Sequence, residues 1–169
     1  MCLAVYVLRV TLTIMFFLKR KFIWFESLIV TPLMTFVILV IGQEGGANSQ
    51  PLGPLEFTGL ALYITGSFLN TWSEYQRQQF KSDPANMGRL YIYGLFRISR
   101  NINYFGDVVL FFGLALVTGR FLMLVIPLLM GLNFILFIIP SKEAYLAGKY
   151  GSQFSEFRKK SKTLIPYLY

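Results

Sequence analysis

What most constrains this chain is the alternation of long apolar runs with short basic punctuation. Leu3 to Leu18 is apolar apart from Arg9 and two threonines, and stops at Lys19-Arg20-Lys21. Phe22 to Gly42 comes next, then Leu55 to Trp72 after a turn-forming stretch, and finally Phe105 to Gly119 and Phe121 to Pro140 on either side of Arg120. A helix that crosses a bilayer needs about 20 predominantly apolar residues. With 55% hydrophobic residues and a mean hydropathy of +0.56, a water-soluble domain lacks the polar surface to cover this excess. The expectation is an all-α, polytopic integral membrane protein with about five transmembrane helices. Four spans, or a re-entrant fourth helix, are the alternatives.

The first run reads as a span rather than a cleavable signal, because its charges follow the apolar stretch and no small-residue cleavage site appears. Gln43 to Pro54 holds Gly-Gly, Asn-Ser and two prolines, the chemistry of a loop. The third span is expected to continue through Glu74, Arg77 and Lys81 as an amphipathic extension, ended by Asp83-Pro84. Pro127 is a candidate kink in the last span. The tail, Ser141 to Tyr169, is not a span. Its Glu143, Leu146, Tyr150, Phe154 and Phe157 recur at three- and four-residue intervals and share one face if helical, with Gly151 weakening the middle.

The net charge of +8 is distributed as at a membrane surface, not as in a nucleic-acid-binding protein. Lys19, Arg20 and Lys21, then Arg77, Lys81, Arg89, Arg97 and Arg100, then Lys142, Lys149, Arg158, Lys159, Lys160 and Lys162 fall on one side of a five-span layout, and Arg120 on the other. By the positive-inside rule the N-terminus is external or lumenal and the basic side cytoplasmic. Arg9 and Glu26 interrupt the first two spans; they either pair across a helical hairpin, line a polar cavity, or snorkel to the nearest interface. The basic residues of the tail suit anionic lipids.

Polar chemistry is concentrated in Gly94 to Asp107, Gly-Leu-Phe-Arg-Ile-Ser-Arg-Asn-Ile-Asn-Tyr-Phe-Gly-Asp. Two readings suit it. One is a snorkelling basic loop beside a span. The other is an anion clamp, in which Arg97 and Arg100 offer planar forks to phosphate or carboxylate, Asn101, Asn103 and Tyr104 add neutral donors and acceptors, and Gly106 allows close approach. Asp107, where the chain enters lipid, needs a partner.

Arg-Asn-Ile-Asn-Tyr-Phe-Gly-Asp, residues 100–107, resembles the Arg-His-x-Asn-Tyr-x-Gly-Asp signature of the membrane sterol reductases and of the steroid 5-alpha-reductase relatives. More loosely it is similar to the Arg-His-Pro-x-Tyr-x-Gly of isoprenylcysteine carboxyl methyltransferases and phospholipid N-methyltransferases. Upstream, Gln78 to Pro84 resembles the reductases' Gln-Lys-x-x-Phe-Arg-x-Asn-Pro. Downstream, Lys149-Tyr150-Gly151 and the closing Leu164-Ile165-Pro166-Tyr167-Leu168-Tyr169 resemble their Lys-Tyr-Gly and Ile-Ile-Pro-Tyr-Ile-Tyr. The resemblance covers roughly the last hundred residues, and the family's histidine is Asn101 here. It implies a single membrane domain over 1–169, with N-terminal spans over 1–72 and a cofactor-binding half over 73–169.

The chain has no histidine and a single cysteine, Cys2, so zinc, haem and Ser-His-acid chemistry lack their residues, and no Gly-rich phosphate loop is present. What remains is transfer chemistry in which a cofactor supplies the reactive group. Three readings stand: NADPH-dependent reduction of an electron-poor double bond in a lipophilic sterol-like, steroid-like or isoprenoid substrate; S-adenosylmethionine-dependent methyl transfer; and a non-catalytic membrane relative. The first is preferred, because NADPH's phosphates use several cations and Asn103 and Asp107 match the reductase pattern. Arg97 and Arg100 are then phosphate contacts, with Arg77 and Lys81 as further phosphate or interface contacts, Asn101 and Asn103 orient the cofactor, and Asp107 holds a ribose hydroxyl or an arginine. Tyr104 and Tyr150 are proton-donor candidates, with interfacial anchoring as the other reading of each tyrosine. Glu143 stands where the reductases resembled have an acid, and Glu26 is a candidate contact for a substrate carbonyl. Partners are the bilayer and a lipophilic small molecule; since the chain is shorter than many reductases resembled, part of the usual substrate chamber is either missing or supplied by a second copy.

Overall fold

The computed structural model describes residues 2–17, 24–47, 51 and 53–169, with the side chains at 14, 16, 17 and 24–27 outside that description. The basic cluster Lys19-Arg20-Lys21 and the Glu26 side chain therefore lie outside the described residues. The protein is all-helical, and no β-strand occurs among the described residues. Its elements are α1 (Cys2–Phe17), α2 (Trp24–Ala47), α3 (Pro54–Ser82), α4 (Ile102–Val117), α5 (Val125–Asn133), α6 (Ile139–Tyr150) and α7 (Ser152–Lys160). Two helical stretches are long and apolar enough to cross a membrane, Leu28–Ala47 and Phe121–Tyr150. Their flanks carry exposed Leu33, Phe36, Leu39, Leu128, Leu129 and Phe137, each more than half exposed.

Helix α3 starts where the sequence places it. Pro54 occupies the first turn, where its missing N–H costs nothing, and Glu56 reaches back to accept from Gly53 N at 2.8 Å. It ends at Asp83-Pro84 as expected, with Asp83 Oδ1 accepting from Ala85 N at 2.9 Å. Helix α2 runs to Ala47, past the Gln43 at which a loop was expected. Gly45 and Gly46 each cost about 1 kcal/mol relative to alanine inside a helix. The extension is nevertheless anchored, because Ile41 is buried and Glu44 lies 3.5 Å from Arg120.

Helices α3 and α4 form the central pair, and their contact is set by glycines spaced seven residues apart on each helix: Gly59 and Gly66 against Gly106 and Gly113. A Cβ on Gly66 would lie 2.3 Å from Leu110 N, and one on Gly113 2.4 Å from Tyr63 N. The two backbones thus approach more closely than any side chain permits. Around this seam Tyr6, Ile41, Tyr63, Leu110, Phe111 and Leu114 make one core, and Tyr63 Oη donates to Cys2 O at 3.1 Å, fixing α1 to α3.

The stretch from Phe121 to Tyr150 is a continuous helical rod that opens with a 3-10 turn before Pro127 and carries a π-turn over Phe134–Ile138. Pro127 sits in the first turn of α5, directly after the 3-10 turn Phe121–Leu124. Pro140 lies two residues into α6, and the wider π-turn before it accommodates the ring and the hydrogen bond it cannot make. Beyond the rod, Gly151 takes φ +51° and breaks the tail between α6 and α7. Four residues of the expected shared face, Leu146, Tyr150, Phe154 and Phe157, join Tyr91, Phe96 and Ile102 in a second core at the opposite end of α4 from the first, while the fifth, Glu143, pairs with Arg100.

Candidate functional site

The polar stretch before α4 folds as a short 3-10 turn, Gly94–Arg97, and then a crossing. Gly94 takes φ +58°, and the next residue's N–H donates to Gln76 Oε1 at 3.3 Å. At the crossing three consecutive residues grip the tail. Ser99 Oγ donates to Leu164 O at 2.8 Å, Arg100 N to Lys162 O at 3.0 Å, and Asn101 Nδ2 to Thr163 O at 2.8 Å. Ser99 and Asn101 are buried, so their polar groups need these partners.

Arg100 is turned inward. Its Nε donates to Glu143 Oε1 at 2.5 Å, Nη1 to Ser161 O at 2.7 Å and Nη2 to Thr163 Oγ1 at 2.9 Å. The two side chains are 7% and 13% exposed, and Arg158 Nε stands 3.8 Å from the other Glu143 oxygen. Arg100 and Glu143, singled out separately from the sequence, therefore meet each other. The tyrosine and asparagine beside them face a residue that the site reading passed over. Lys142 Nζ donates to Asn101 Oδ1 at 2.9 Å and lies 4.5 Å from the centroid of the Tyr104 ring. That ring stacks on Phe134, at 4.7 Å and 18°, so the first residue of the π-turn sets the seat of the tyrosine.

Arg77 and Lys81 of α3 lie within electrostatic range of Lys142 on α6. Arg77 pairs with Glu74 and lies over the Phe96 ring at 5.8 Å. Arg77 and Lys81 both act electrostatically on the Lys142 ammonium, with Glu74 and Glu143 opposing them. Although Lys81 is solvent-exposed as a residue, its ammonium is held below the ordinary lysine value, by lost hydration first and then by Arg77 and Lys149 beside it. A bound anion relieves that repulsion. Such a cluster is suited to phosphate, and the Tyr104–Lys142 pair beside it to proton donation.

The remaining candidates fall elsewhere. Asp107 accepts from Asn70 Nδ2 at 2.9 Å and stands 3.8 Å from Arg9 Nη2, while Arg9 Nη1 donates to Asn70 Oδ1 at 3.1 Å. Asp107 thus has Arg9 as a charge partner, and Arg9 turns to α3 and α4. Asn103 is buried, and its Oδ1 has no partner among the described residues. Tyr150 packs in the second core beneath Lys149, whose Nζ is 5.6 Å from its ring. Arg97 is exposed and lines a groove of about 700 Å³ with Tyr93, Lys160, Lys162 and Tyr167. Lys142 was not legible as a site residue because, as the first cation after an apolar run, it has the sequence signature of any snorkelling lysine. Asn70 gave a weak signal, as an amide in an apolar run.

No curated protein matches the chain. The family model of DUF1295, described as a protein of unknown function, matches residues 8–163. With nearly the whole sequence covered, the chain belongs to the DUF1295 family.

Proposed function

We propose that this chain is a multi-pass membrane reductase that uses NADPH to reduce an electron-poor double bond of a lipophilic sterol-like, steroid-like or isoprenoid substrate. In this reading five helical passes put the N-terminus outside or in a lumen, and the convergent cations on the cytoplasmic side, where nucleotides are found. The exposed leucine and phenylalanine flanks of the two long apolar helices support a lipid-facing exterior.

The observation that carries the reading is the junction of the buried Asn101 with the half-buried Lys142 and Tyr104, within electrostatic range of Arg77 and Lys81. The donor set fits the cofactor: Arg77, Lys81 and Lys142 are the cations suited to its phosphates. Arg100 serves differently, holding Glu143 and the tail so that Asn101 is fixed against Lys142. When bound, NADPH supplies a hydride. The protein's own part is to deliver a proton to the neighbouring carbon, and Tyr104 Oη is the assigned donor. When protonated, the Lys142 amine, 4.5 Å from the ring centroid, favours the phenolate left behind. Asn101, in the place of the family's histidine, keeps Lys142 over that ring by accepting from its ammonium.

The test is NADPH consumption by the purified protein with a panel of lipophilic cyclic enones. Tyr104→Phe should lower kcat about a hundredfold or more while the KM for NADPH stays unchanged. A protein that binds NADPH yet reduces no enone, or a Tyr104→Phe variant with full activity, would remove the reading.

A further inference from the structure

Beyond the proposed reductase site, the C-terminal tail builds a cavity lined by basic side chains. Arg158, Lys159, Lys160 and Lys162 line a space of about 350 Å³, with Arg100 and Thr163 in its wall. Among the described residues, Lys159, Lys160 and Lys162 carry no ion pair, and all three are exposed. These cations are not on a loose end. Ser161 and Leu164 are buried, Lys162 pairs with Ser99 through backbone, and Leu164 N donates to Tyr169 O at 2.7 Å, so the tail is folded back and fixed beside the cavity. Lys160 and Lys162 stand between this cavity and the groove of about 700 Å³, whose wall is largely apolar through Leu90, Ile92 and Phe157. Tyr167 and Leu168 project beside them, 76% and 77% exposed.

We infer that this pair of spaces binds one anionic phospholipid, its phosphate among Lys159, Lys160 and Lys162 and its glycerol and upper acyl region along the apolar groove. A free phosphate would use the basic cavity alone. The adjoining apolar groove and exposed aromatic rim are what favour an amphiphile, since cationic side chains draw the headgroup and apolar surface takes the chain. The inference rests on the membrane placement proposed above, and it puts tail docking and cofactor binding on different cations.

The experiment uses the full chain in neutral detergent, with thermal unfolding as the readout. Dioctanoyl-phosphatidylglycerol should raise Tm by several degrees, while dioctanoyl-phosphatidylcholine and inorganic phosphate at equal concentration should not, and the rise should shrink as salt is added. The triple variant Lys159→Gln, Lys160→Gln, Lys162→Gln should lose the phosphatidylglycerol shift and keep the NADPH shift. Equal stabilisation by the zwitterionic lipid overturns the inference, as does a shift reproduced by phosphate alone or a lipid shift that survives in the triple variant. Loss of the NADPH shift together with the lipid shift would instead assign these cations to the cofactor site. A wild-type protein that responds to phosphatidylglycerol but not to NADPH would sink the reductase reading and leave this one standing.

Discussion

Replacing Arg100 should destabilise the fold rather than only weaken a ligand. Read from the sequence alone, Arg100→Ala removes one phosphate fork and costs about 1.5 to 3 kcal/mol of cofactor affinity. In the fold, the same change strands Glu143, which is 13% exposed and keeps only Arg158, 3.8 Å away and itself 66% exposed. It also deletes the donors to Ser161 O and Thr163 Oγ1 that hold the tail. Breaking a buried pair from one side costs about 3 to 5 kcal/mol, because the remaining charge is left uncompensated. Arg100→Ala should therefore lose about that much stability. Adding Glu143→Gln should restore part of it, since a neutral amide is less costly to bury than a lone carboxylate. Denaturant unfolding in mild detergent micelles, followed by tryptophan fluorescence, gives the three free energies for wild type, single and double variants. A loss below about 1 kcal/mol, the worth of an exposed pair, or a double variant less stable than Arg100→Ala, would refute the reasoning.

Gly66→Val should destabilise the protein by more than the 1 to 3 kcal/mol typical of overpacking, since its Cβ would meet Leu110 N at 2.3 Å and backbone cannot step aside as a side chain can; the same unfolding titration measures it, and a near-neutral result would mean that α3 and α4 are not in contact there. Lys81 gives a pH signature. Its ammonium loses its proton below the ordinary lysine range, and only the charged form attracts phosphate, so NADPH binding should weaken as pH rises through that lowered value. Lys81→Arg should flatten the profile in a fluorescence binding titration, and an unchanged profile would take Lys81 out of the site.

Much of the architecture was legible because apolar runs and breakers act locally. Pro54, Asp83-Pro84 and Gly151 mark boundaries that the fold keeps, and the tail's spacing from Leu146 to Phe157 identified a real packing face. The extension of α2 through Gly45-Gly46 was not, since tertiary contacts at Ile41 and Glu44 outweigh the glycines' helix cost. Nor was the glycine seam, whose meaning depends on α4 lying opposite α3. For the site, the sequence marked Arg100, Asn101 and Glu143 individually. It could not show that Arg100 and Glu143 satisfy each other, because residues 100 and 143 are joined only by tertiary structure. The pairing of Asp107 with Arg9 has the same origin, as does the place of Lys142 above Tyr104.

The measurement closest to the central claim is ligand-dependent thermal unfolding of the purified chain with NADPH, NADH and S-adenosylmethionine. Ligand at about a hundred times its dissociation constant adds roughly 2.7 kcal/mol of stability, well within the reach of a thermal-shift assay. The account predicts a clear rise with NADPH, a smaller one with NADH, which lacks the ribose phosphate, and little with S-adenosylmethionine. It also predicts that the NADPH rise shrinks in Arg77→Ala. A rise with S-adenosylmethionine alone would contradict the account in favour of methyl transfer, and a folded protein that responds to none of the three would contradict it in favour of a non-catalytic member of the family.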